Sequence, residues 1–151
     1  MGVGLLYQQQ LNPPLISYSG ADFAGDRETR RSTSGVGIFM GSSLIHWISK
    51  QQSCTAQSTT EAEYIAAATA AKEVKWFRQL FIDLKMPQGK PTPLVVDNQS
   101  AIKVTYNPEF HQRSKHIEVK YHFIRETIEE GHIETQYVPT QEQKADMLTK
   151  P

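Results

Sequence analysis

The sequence predicts an α/β domain: a mixed sheet with helices packed on it. Short apolar runs come first, then a long helical stripe, then strands and helices in alternation, in the order β-β-β-α-β-α-α-β-α. Early strands followed by strand–helix alternation argue for a mixed sheet. A length of 151 residues fits one domain able to bury its own core. A charged fraction of 21% suits a globular chain, not a disordered one.

Each element has its own warrant. Residues 1–14 end in "LNPP" and read as a connection leading into a domain over 15–151, because paired prolines mark turns. From Leu15 the chain alternates as a strand, with Ile16, Tyr18, Gly20 and Asp22 on one face. The polar "DRETRRSTSG" is a loop. "VGIFMGSSLIHWIS" reads as a hairpin turning at Gly41-Ser42, a pair suited to a type II′ turn.

A long helix is expected from near Ser58. Tyr64, Ala67, Ala68, Ala71, Val74, Phe77, Phe81 and Leu84 recur at helical spacing, and Pro87 and Gly89 are expected to end it. "PLVVD" is a continuous apolar run, as in a strand buried on both faces, and "NQSAIKV" opens a second helix. After the loop "NPEFHQRSK", Ile117, Tyr121, Ile124 and Ile128 form one face of a third helix, with Gly131 as its C′ residue. "HIETQYV" alternates like a half-buried strand. Thr140-x-x-Gln143 has the form of a capping box opening a short helix through Leu148. Trp47 and the aromatics of the Ile117 helix are expected in the core.

Basic and acidic residues number sixteen each and cancel, so net charge points to no nucleic-acid partner, although a neutral total is compatible with a local basic patch. Cys54 is the only cysteine, which excludes an internal disulfide and fits a reducing compartment. We expect neither a signal peptide nor a membrane span.

In open α/β sheets, ligands collect beyond the carboxyl ends of the strands. Acids at position 22 in the first strand, at Asp97 after "PLVV", at Glu61 and at Asp146 are candidates for that edge. Converging carboxylates repel unless cations join them, and hard oxygen donors suit Mg²⁺ or Mn²⁺. Two such ions about 4 Å apart can stabilise the attacking and leaving oxygens of a phosphodiester. Each acid also has a plainer role. Ser58-x-x-Glu61 is a capping box, Asp97 can cap the next helix, and Asp146 can be a solvated charge.

The words around these acids add to the reading. In order and spacing, "RRSTSG", "HWISKQQ", "STTEAEYIAA", "VVDNQSAI", "RSKHIEVKYHFIRE" and "KADMLTKP" resemble the ribonuclease H domain of copia-type LTR retrotransposon Pol polyproteins. That resemblance implies an RNase H-like fold, a mixed five-stranded sheet with helices packed on both faces. It also implies metal-dependent hydrolysis of the RNA strand of RNA–DNA hybrids at a two-metal site holding Mg²⁺ or Mn²⁺. The catalytic and metal-binding acids carried over are Glu61, Asp97 and Asp146.

The family's first acid belongs where "YSGAD" has Gly20, and its absence implies impaired cleavage. Asp22 is the nearest substitute, displaced by two residues, about 6.6 Å along a strand. Arg27, Arg30 and Arg31, with Arg113, Lys115 and His116, form two basic clusters suited to phosphate contacts on the hybrid. The implied partner is the reverse transcriptase portion of the same polyprotein. The implied setting is the cytoplasm, in the virus-like particle of an active element. A catalytically inactive nucleic-acid-binding or structural extension of a reverse transcriptase is the alternative.

Overall fold

Small and apolar side chains alternate from Leu15 and form β1 (Leu15–Asp22). The structure, a computed structural model, describes residues 4–7, 12–106 and 115–150, apart from the side chain of His116. The hairpin follows as β2 (Thr33–Met40) and β3 (Ser43–Gln51). Its turn has positive φ at Gly41 and not at Ser42, the signature of type II′. β2 pairs antiparallel with both β1 and β3.

Helix α1 (Thr59–Asp83) begins where expected: Ser58 Oγ accepts from the Glu61 amide at 3.1 Å. It ends before Pro87 and Gly89, at a left-handed Lys85 with φ of 62°. Met86 N–H bonds Phe81 O and Lys85 N–H bonds Ile82 O, the paired contacts of a Schellman motif. Then come β4 (Thr92–Val96), α2 (Gln99–Tyr106), α3 (Lys115–Glu129) and β5 (Ile133–Tyr137). α3 closes with the same motif, this time with Gly131 in the left-handed position.

The sheet order is β3-β2-β1-β4-β5, with β4 parallel to β1 and β5. The main core joins Leu15, Val36, Ile38, Leu94 and Val96 of the sheet to Tyr64, Ala71 and Val74 of α1 and Ile124 of α3. Buried Ser17 and Ser19 on β1 and alanines on α1 are small enough to let helix and sheet approach closely. The three α-helices mass together, and the other face, at Gly20, Gly35 and Gly37, is covered by a 3-10 turn (Lys144–Leu148).

Two expectations need correction. Thr140 and Gln143 do not cap one helix. Thr140–Glu142 and Lys144–Leu148 are separate 3-10 turns broken at an extended Gln143, whose side chain is drawn into the sheet instead. Trp47 is 60% exposed, not in the core. It stands opposite Gly37 on an edge strand, where cover from the second turn runs out.

The described part of the lead-in segment is stitched to the domain. Tyr7 Oη donates to Leu44 O and Ser43 Oγ to Leu6 O. Gln88 Oε1 accepts from the Leu15 amide. Among the described residues no helix is long and apolar enough to cross a membrane.

Candidate active site

β1 and β4 run parallel but pair only at Ser17–Leu94 and Tyr18–Val95. Beyond that point they part, leaving a notch at the carboxyl ends of the two central strands. Brought to this notch are Gly20 from β1, Asp97 just after β4, Asp146 from the final turn and Glu63 from the first turns of α1.

Glu63 is the acid that sequence reasoning missed. It is 5% exposed; its Oε1 accepts the Ala21 amide at 3.0 Å, a donor that the parted strands leave free. Its Oε2 is buried with no partner. Burial pushes the carboxyl up to about 8, with the charges of Asp97 and Asp146 adding and the Ala21 hydrogen bond opposing. Glu63 thus lies within the electrostatic reach of both aspartates.

Glu61, the acid expected there, is occupied elsewhere. Its Oε2 accepts the Gln57 amide at 3.0 Å while its own amide bonds Ser58 Oγ, so it serves the helix start. A signal for Glu63 exists in the sequence: with Ala67, Ala70 and Val74 it falls on the i, i+4, i+7, i+11 stripe that α1 buries.

Asp97 is free of the capping role open to it, because Asn98 Oδ1 takes the Ala101 amide at 2.9 Å. Asp146 is not simply a solvated charge. Its side chain is 34% exposed, with Lys150 Nζ 3.4 Å from Oδ2. Its Oδ1 lies 3.7 Å from the position a Cβ on Gly20 would take. That Cβ would meet only ordinary contacts, Ala145 Cβ at 3.7 Å and Gln143 Cγ at 3.8 Å. Position 20 therefore has room for a Cβ, on the side where Asp146 stands. The Asp22 carboxylate, the substitute considered for an acid at position 20, folds over the backbone of Gly25, 2.0 Å from where a Cβ there would stand.

Among the described residues the notch offers carboxylate oxygens, the donor type of Mg²⁺ or Mn²⁺, and Glu63 Oε2 is buried there without a hydrogen-bond partner. Among the described residues no three His, Cys, Asp or Glu side chains are drawn together closely enough to grip an ion as they stand.

The basic loop after β1 is braced. Asp26 accepts the amides of Thr29 and Glu28 at 2.7 and 2.9 Å and Gln51 Nε2 at 2.8 Å, and the Thr29 bond leads in holding its carboxyl below the usual range. Arg27 and Arg30 are exposed on this loop and Arg31 half-exposed. Lys115 is exposed at the start of α3. Arg113 and the His116 side chain lie outside the described residues.

No protein-family model matches the chain. Over 139 residues, 92% of its length, it is 42% identical to the retrovirus-related Pol polyprotein from transposon TNT 1-94 of Nicotiana tabacum. Over 137 residues, 91% of its length, it is 40% identical to that from transposon RE1 of Arabidopsis thaliana. The chain spans only 10% and 9% of those two relatives. Its fold matches LC11-RNase H1, solved in complex with an RNA/DNA hybrid, with a TM-score of 0.64 at 15% identity, covering 89% of this chain and 92% of that one. It also matches the prototype foamy virus protease-reverse transcriptase, with a TM-score of 0.55 at 18% identity, covering 97% of this chain and 21% of that one.

Proposed function

We propose that this RNase H-like domain of the retrotransposon Pol type is built for divalent-cation-dependent hydrolysis of the RNA strand of an RNA–DNA hybrid, and that Gly20 leaves it impaired. One observation carries the reading. The charges of Asp97, after β4, and Asp146, in the final turn, both act on the buried Glu63 of α1, and the open side of Gly20 lies beside Asp146.

Glu63, Asp97 and Asp146 would hold the cation. When bound, it supplies positive charge that offsets these carboxylates and stabilises charge developing on the phosphate. The Ala21 amide fixes the direction of Glu63. The Asp26-braced loop holds Arg27 and Arg30 ready for phosphate contacts, which give affinity without reading sequence. What is absent is a carboxylate at position 20, and two-metal chemistry tolerates little displacement of its ligands. The hybrid held by LC11-RNase H1 supports the substrate. The foamy virus chain supports a reverse transcriptase portion of the same polyprotein as partner. The single free Cys54 fits action in the reducing cytoplasm.

The test is cleavage of a labelled RNA–DNA hybrid in Mg²⁺ and in Mn²⁺ by the native chain and by Gly20→Asp. The expected result is cutting by the variant at least 100-fold faster than by the native chain. Equal rates overturn the impairment. Silence from both, with salt-sensitive hybrid binding retained, puts a non-catalytic binding or structural extension of a reverse transcriptase in its place.

A further inference from the structure

The side chain of Gln143 stands between the two 3-10 turns and is 5% exposed. Its Nε2 donates to Ser19 O of β1 at 3.0 Å and to Val95 O of β4 at 3.3 Å. Its Oε1 accepts the Ala145 amide at 3.1 Å, capping the second turn. Its own carbonyl accepts the Asp146 amide at 3.2 Å. The two strand carbonyls lie beside the last paired residues, Tyr18 and Val95. One side chain thus substitutes for the ladder at the point where the ladder stops.

We infer that Gln143 is a positioning residue that sets the separation of Asp97 and Asp146, and so the site's hold on a divalent cation. Two residues beyond Val95 is Asp97, and three beyond Gln143 is Asp146, so the amide joins the backbone supports of both acids. The task calls for a primary amide of this length. A carboxylate would offer only acceptors to two strand carbonyls, and an apolar side chain of equal length would offer nothing. Neighbouring contacts agree with a fixed turn: Lys144 Nζ lies 5.2 Å from the Tyr18 ring centre and 4.7 Å from that of Phe39, cation–π distances that hold the same turn to the sheet.

This inference rests on the proposed acidic site, and its test separates the two. Mn²⁺ affinity is measured by electron paramagnetic resonance in the Gly20→Asp background, for Gln143→Met, Asp146→Asn, the pair together, and Asp97→Asn. Folding of each is checked by circular dichroism, and Gln143→Glu, which keeps the volume and the acceptor, is the second probe of the amide. We expect Gln143→Met and Gln143→Glu to weaken Mn²⁺ binding about tenfold in folded protein. The double variant should bind no worse than Asp146→Asn alone, because Gln143 acts through the placement of that acid. Unchanged affinity in Gln143→Met with Asp97→Asn still harmful, or additive losses in the double variant, overturns the positioning role. Unchanged affinity in Asp97→Asn overturns the acidic site itself, and the inference with it.

Discussion

Consider replacing Glu63 by glutamine and following stability against pH in EDTA. In the folded chain burial and the charges of Asp97 and Asp146 raise this carboxyl from 4.5 to about 8. The native state therefore keeps a proton that the unfolded chain has lost, and between those two values stability falls as pH rises. The slope for one proton is about 1.4 kcal/mol per pH unit. Over the roughly 3.5 units between them the complete loss sums to on the order of 5 kcal/mol, of which about 4 kcal/mol is reached by pH 8. Glutamine keeps an acceptor for the Ala21 amide and cannot ionise. Urea melts of both proteins at half-unit steps from pH 5 to 8.5 should show nearly equal stability at pH 5. The variant should lead by on the order of 4 kcal/mol at pH 8. Saturating Mn²⁺ at pH 8 should restore the native chain, by about 2.7 kcal/mol at 100 times its dissociation constant, and leave the variant unmoved. Parallel pH profiles would refute the argument, because they would mean that Glu63 ionises as freely in the fold as out of it.

Other substitutions test neighbouring claims. In the Gly20→Asp background, Glu61→Ala should leave hybrid cleavage within about twofold while Glu63→Ala abolishes it, and a thermal melt should charge Glu61→Ala only the roughly 1 kcal/mol of a lost cap contact. Gly35→Ala should destabilise by about 2 kcal/mol in urea melts, since its Cβ would stand 2.7 Å from Ala145 O and 2.8 Å from Thr149 Cγ2. Lys85→Gly should raise stability by about 0.5–1 kcal/mol in the same assay, because a side-chain-bearing residue now holds a left-handed position.

Local chemistry made much of this molecule legible. The Gly41-Ser42 turn, the Ser58 helix start and the Gly131 helix stop each follow from a backbone requirement that one or two residues announce. Five strands and their order of appearance follow from apolar runs. What resisted is whatever depends on neighbours distant in the chain. Both glutamates of "TTEAEY" sit at a helix start, and only the stripe buried against β1 separates the one that caps from the one that takes the Ala21 amide. Trp47 has the composition of a core residue, and its exposure follows from β3 being an edge. The break at Gln143 is invisible in Thr140-x-x-Gln143, because the side chain gives up a local cap for carbonyls on β1 and β4, far away in sequence.

The two glycines that face each other across β1 and β2, Gly20 and Gly35, differ in what a side chain would meet at each. Gly35 has no room for a Cβ, since the last turn rests on its bare backbone. Gly20 has room in front of it and a negative φ, so neither packing nor conformation asks for glycine there. A side chain can therefore be tried at position 20 without disturbing the turn that covers the sheet, whereas at position 35 the turn itself must shift.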